Sequence, residues 1–120
     1  MAARSTLEDG MLEVAARRFR ALGEMQRLRI LQVLEHGERS VGTIVAESRG
    51  SQSNISRHLQ ALHDAGLVRR RREGNSVVYG IADPMVLELC SLVCMDTRKH
   101  AARILSSFGD GPRNGAKAEQ

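Results

Sequence analysis

The sequence predicts a mostly α fold of the α+β class, in which helices bracket one two-stranded β-hairpin. Three observations carry this prediction. From Leu7 to Leu62, apolar residues recur at three- and four-residue steps, and glycines interrupt them where helices end. From Leu67 to Ile81 the pattern changes to a basic strand, a Glu73-Gly74-Asn75 turn, and a second strand in which Val77, Tyr79 and Ile81 alternate. Asp83-Pro84 then opens one long helix, with Asp as the cap and proline at the first helical position.

Taken in order, Ser5-Thr6-Leu7-Glu8 is a capping-box pattern, and Glu8 and Asp9 suit the helix dipole. Leu7, Met11, Val14, Ala15, Phe19 and Leu22 follow on one stripe, so a first helix is expected from about Thr6 to Leu22, closed by Gly23. A second runs from about Met25 to Glu35, with Leu28, Leu31 and Leu34 on one side and Ile30 and Val33 widening the stripe. His36-Gly37 ends it. Ser40 caps a short third helix carrying Val41, Ile44 and Val45, and Arg49-Gly50 is the turn out of it. Ser51 caps the fourth helix. Ile55, Leu59 and Leu62 form its apolar face, Gln52, Ser53, Ser56 and Arg57 fall largely opposite, and Gly66 ends it. Helix, turn, capped helix and basic hairpin, in that order, make a winged helix-turn-helix.

The last helix is expected from about Pro84 to Ser107, roughly 35 Å at 1.5 Å per residue. Val86, Cys90, Val93, Cys94, Thr97, Ala101, Ile104 and Leu105 mark its stripe. This stripe and that of the first helix exceed what the small core can cover. The N- and C-terminal helices are therefore expected to pair across a two-fold axis in a homodimer. Residues 1–108 make the one domain, and 109–120, rich in Gly, Pro and charge, a disordered tail.

Composition narrows the function. A chain of 120 residues holds one modest core. Net charge +4 and an isoelectric point of about 9.8 favour phosphate. The placement of charge says more, because Arg69, Arg70, Arg71 and Arg72 are contiguous, and arginine suits bidentate contact with phosphate or guanine. Aromatic content of 2% leaves no stacking platform for single strands, which favours double-stranded DNA. No apolar run approaches a membrane span and the N-terminus has no signal core, so a cytoplasmic protein without a membrane partner is expected. No phosphate loop, nucleophile elbow or zinc-protease motif is present, which leaves an enzyme the poorest reading.

On the DNA reading, Gln52, Ser53, Ser56 and Arg57, just inside the Ser51 cap, supply base contacts in the major groove. His58, one turn on, contacts phosphate or packs at the edge of the helix. Arg70, Arg71, Arg72 and Asn75 lie along the backbone or minor groove, and Arg39 and Ser40 touch phosphate from the start of the third helix. The alternative is a solvated polar face and a charge run that only blunts a sheet edge. A dimer would read a palindromic operator.

Cys90 and Cys94 stand four residues apart, which puts both sulfurs on one helical face. Without a secretory signal they read as reduced thiols or ligands rather than a disulfide. Soft thiolates favour a thiophilic metal or metalloid ion, or a redox effector. The competing reading is packing, since free cysteine is a good small core residue and a pair supplies only two of the four ligands of a closed zinc site.

The run SQSNISRHLQALHDAGLVRRRREGNSVVYGI resembles the recognition helix and wing of the arsenic-repressor (ArsR/SmtB) family, and LGEMQRLRILQVLEHGERSVGTIV resembles the helices before them. The resemblance spans roughly Phe19 to Val93. It implies a dimeric bacterial or archaeal transcriptional regulator, usually a repressor released by an effector. Two metal signatures of the family are missing. Ser40 to Ser48 carries no Cys-x-Cys pair, and the last helix offers only Asp96 and His100 where the family has Asp-x-His with a later His. The resemblance therefore brings no metal with it. Three readings stay open: a repressor with an effector at the dimer helices, a DNA-binding regulator with structural cysteines, and a protein-docking module.

Overall fold

The computed structural model describes residues 8–109, without the side chains of 96–98, 108 and 109. Most of the predicted capping box, the Asp96 side chain and the tail from 110 onward lie outside the described residues. The chain divides into two units, Met1–Leu87 and Glu88–Gln120.

The elements run α1 Asp9–Leu22, α2 Met25–Leu34, β1 Arg39–Ser40, α3 Val41–Ser48, α4 Gln52–Asp64, β2 Val68–Glu73, β3 Ser76–Ile81 and α5 Pro84–Gly109. The caps are where the sequence puts them. The Ser40 hydroxyl accepts from the amide of Thr43, and that of Ser51 from the amide of Asn54, both at 3.3 Å. Asp83 Oδ1 accepts from the amide of Met85 at 2.9 Å. Gly66 takes the left-handed conformation after α4, with φ 77°. α1 starts without a side-chain cap, at Glu8.

The core is built by Ile30, Leu31 and Leu34 of α2, Ile44 of α3, and Ile55, Leu59 and Leu62 of α4, all at most 2% exposed. Leu67, Val68, Val78, Tyr79 and Val86 close it from the sheet side. On α2, Leu28 is only half-buried, so the stripe centres on Ile30, Leu31 and Leu34.

The sheet has three strands in the order β1-β3-β2, against the two expected. Arg39 pairs with Tyr79 and Ser40 with Val78. A two-residue strand is too short to carry a period-two signal, which is why it escapes the sequence. β3 is consequently central, with α2 and α3 packed on it. Val78 and Tyr79 are both buried, in place of the alternation expected at Val77, Tyr79 and Ile81.

Large apolar side chains remain outside on α1 (Met11, Leu12, Val14, Phe19) and on α5 (Leu92, Val93, Met95, Ile104, Leu105). Among the described residues, no helix is long and apolar enough to cross a membrane.

Candidate nucleic-acid interface

α4 is amphipathic in the way the sequence suggests. Ile55, Leu59 and Leu62 anchor it in the core, while Gln52, Ser53, Ser56 and Arg57 are exposed on its first two turns. Arg57 Nη2 donates to Asn54 Oδ1 at 3.2 Å, so the guanidinium is held at the outer face of the helix. The turn before α4 is tight. A Cβ on Gly50 would lie 2.7 Å from Ile55 Cδ1, so glycine leaves the room that the Ile55 side chain takes against the turn. Ser51 is exposed, with its hydroxyl engaged as the cap.

The wing is β2 and β3 joined at Gly74 (φ 61°), with Asn75 exposed beside it. The pleat divides the four arginines between two faces. Arg69 and Arg71 turn to one acidic side chain, Glu38: Arg71 Nη2 lies 2.7 Å from Oε1 and Arg69 Nη2 3.2 Å from Oε2. Arg71 also pairs with Glu73 at 3.3 Å. The Arg71 guanidinium holds the Glu38 carboxyl below the usual carboxylate range, and Glu38 raises Arg71 in return. A Cβ on Gly80 would sit 3.0 Å from Glu38 Cγ and 3.2 Å from the Arg69 guanidinium, so glycine leaves room for this pairing. Arg70 and Arg72 take the other face. Arg70 Nη1 donates to Gln60 Oε1 of α4 at 3.0 Å. Arg72 is exposed and has no partner among the described residues. The sequence treats Arg70, Arg71 and Arg72 as equivalent, whereas Arg71 is already neutralised by carboxylates.

Two other expected phosphate contacts have structural work. Ser40 caps α3 and donates to Thr43 Oγ1 at 3.1 Å. Arg39 sits half-buried in β1, with Nη1 donating to the Glu38 carbonyl at 2.8 Å.

Of the two alternatives for His58, burial favours packing over a phosphate contact. The residue is 6% exposed and faces the core. Its Nδ1 accepts from Arg27 Nε at 3.1 Å, so that nitrogen carries no proton, and Glu24 at 4.0 Å from the same atom is a lesser contact. Arg27 is held in turn by Glu24 at 3.4 Å and by the Ala21 carbonyl at 3.4 Å. Burial, then the charges of Arg27 and Arg57, push the His58 pKa down, against a smaller pull upward from Glu24. The unfolded chain binds the proton near the ordinary value of 6.5. The neutral imidazole thus contributes stability fully above that value, and the contribution is lost as pH falls through it toward the lowered pKa. Melting temperature is expected to drop between about pH 7.5 and pH 5.5, and to drop less in a His58→Leu variant. Parallel profiles for the two proteins would contradict this.

Arg27, Glu38 and Gln60 were not singled out by the sequence reading. Arg27 had a signal: it stands three and four residues before Ile30 and Leu31, on the apolar face of α2. Glu38 had none, since its partners lie 31 and 33 residues away.

In the second unit, Cys90 is half-buried and Cys94 exposed, and both are free thiols. Burial, with Cys94 adding to it, raises the Cys90 pKa and disfavours its thiolate. Among the described residues no three His, Cys, Asp or Glu side chains gather as a metal cage.

Residues 25–70 match the family described as bacterial regulatory protein, arsR family. An uncharacterised helix-turn-helix-type transcriptional regulator of Mycobacterium tuberculosis is 38% identical over 99 residues, 82% of this chain and 83% of its own. A probable mercury resistance operon repressor of Streptomyces lividans is 38% identical over 91 residues, 75% of this chain and 73% of its own. Among solved structures, the homodimeric winged helix-turn-helix DNA-binding domain of a possible ArsR-family regulator from Mycobacterium bovis superposes with a TM-score of 0.75. Its identity is 37%, over 86% of this chain and 95% of that one.

Proposed function

The chain belongs to the arsR family of bacterial regulatory proteins, and from that membership we propose that it is a homodimeric repressor that reads duplex DNA with α4. Its role is regulatory, not enzymatic. One observation carries the reading: α4 buries Ile55, Leu59 and Leu62 and leaves Gln52, Ser53, Ser56 and Arg57 bare at its N-terminal end. Gln52 suits adenine, Arg57 suits guanine, and the serines take base edges or phosphate. Arg70 and Arg72, on the wing face shared with Gln60, track the backbone. The bare apolar side chains of α1 and α5 support pairing of two copies, as does the homodimeric domain from M. bovis. Two-fold pairing gives a palindromic operator with half-sites about 10 base pairs apart, or a multiple of that. The protein acts where the DNA is, in the cytoplasm.

The test is selection of duplexes from a randomised pool by the purified protein. A two-fold symmetric sequence is expected to emerge, with affinity that falls steeply as salt rises. Binding without enrichment of any sequence would overturn the reading.

Release is assigned to Cys90 and Cys94. Two free thiols one turn apart, one exposed, suit a thiophilic metal, a metalloid or a thiol oxidant, and the S. lividans relative carries the name of a mercury resistance repressor. Arsenite, zinc, cadmium, a mercuric salt or a persulfide donor is expected to dissociate the selected duplex from the wild type. The Cys90→Ser/Cys94→Ser variant should stay bound. If both proteins respond alike, the cysteines are packing residues and a non-thiol ligand, or none, acts.

A further inference from the structure

α1 is seated on its own chain by very little. Met11, Leu12, Val14 and Phe19 are exposed, Phe19 at 62%. Its inward side is small: Ala21 is buried, and Ala15, Ala16 and Leu22 are half-buried. A seat of three alanines and one half-buried leucine interlocks little with its neighbours.

The links from α1 to the DNA-facing helix are instead polar, and there are two among the described residues. Arg18 Nε donates to the carbonyl of Ala65, the C-cap of α4, at 3.3 Å. Arg27, in the first turn of α2, bridges the other point. Its Nη1 donates to the Ala21 carbonyl in the last turn of α1 at 3.4 Å, and its Nε to His58 Nδ1 in the middle of α4 at 3.1 Å. Glu24 holds the same guanidinium at 3.4 Å. His58 and Ala65 lie about 10 Å apart along the helix axis at 1.5 Å per residue. One directional hydrogen bond leaves a pivot, whereas two separated ones fix an orientation.

We propose that Arg18 and Arg27 are positioning residues for DNA readout: they transmit the placement of α1 at the dimer seam to the angle of α4, and so set the half-site spacing that the dimer accepts. The proposal rests on the homodimeric DNA-binding reading above. Neither residue belongs to the reading surface. The Arg27 side chain is 13% exposed and committed inward, and Arg18 meets α4 at the end opposite Gln52. A misplaced α1 would leave each recognition helix intact and aim the pair wrongly, which costs the full site and spares the half-site.

The full-length dimer is tested on the duplex it selects, on versions with one or two base pairs inserted or removed at the centre, and on a single half-site. Arg18→Met is the first variant, because Arg18 is exposed and one hydrogen bond is lost. Arg27→Met alone would strand the buried His58 nitrogen, so the second variant is Arg27→Met/His58→Leu, which replaces both partners by apolar groups. The wild type should prefer one spacing sharply. Each variant should lose about three- to thirtyfold on that duplex, flatten the spacing preference and keep half-site affinity. An unchanged spacing preference in both variants overturns the proposal. So does an equal loss on full site and half-site, which marks a merely structural role. A wild type that selects no duplex, or one with no spacing preference, refutes the underlying dimer reading and removes the proposal with it.

Discussion

Arg57→Ala is expected to weaken binding to the selected duplex by about 1–3 kcal/mol and to relax base preference at one position of each half-site. The argument is geometric. Arg57 stands on the second turn of α4, on the face opposite Ile55, Leu59 and Leu62. Its guanidinium donates to Asn54 Oδ1, and the Asn54 amide is held by the Ser51 cap. The planar guanidinium matches the two acceptors of a guanine. Lysine keeps the charge and loses the fork, so Arg57→Lys should recover the affinity only in part. The check is titration against the selected duplex and against duplexes changed one base pair at a time. A loss of equal size on every sequence would make Arg57 a phosphate anchor instead.

Ile55→Ala should destabilise the fold by about 2–5 kcal/mol, a large share of the stability of a domain this small. Ile55 is fully buried and is the first apolar residue of α4. Its Cδ1 fills the corner at Gly50, where α3 turns into α4. Truncation opens a cavity at that corner, and the close turn cannot relax far enough to fill it. Urea denaturation reads the effect directly. Well below its transition the variant should still bind DNA, because the residues proposed to meet it are exposed and not packed in that corner. A cost under about 1 kcal/mol would mean the corner is loosely packed.

What the sequence made legible was local. The Ser40 and Ser51 caps, Gly66, the Gly74 turn and the Asp83 cap each act over a few residues, and each stands where the pattern puts it. The exposed polar face of α4 was legible for the same reason, since helical period sorts Ser53, Ser56 and Arg57 from Ile55, Leu59 and Leu62, while Gln52, in line with Ile55 and Leu59, is bare because it opens the helix. That sorting, pressed one step further, also catches His58: positions 55, 58, 59 and 62 share one face, and the imidazole is buried with the three aliphatic chains. The rest depends on residues far apart in the chain. Strand β1 exists only because β3 lies beside it, the wing arginines are divided by a pleat and by Glu38, and Arg27 meets His58 across 31 residues. No periodicity encodes those meetings. Packing alone does not account for the two cysteines, because Cys90 is half-buried and Cys94 exposed.

The central claim is that the bare face of α4, with the wing beside it, is the surface that meets DNA. It is tested most directly by titrating the isotope-labelled dimer with its selected duplex and following backbone amide shifts. The account predicts that the largest shifts fall on residues 51–57 and 70–75. Shifts concentrated on α1, with α4 unmoved, would contradict it.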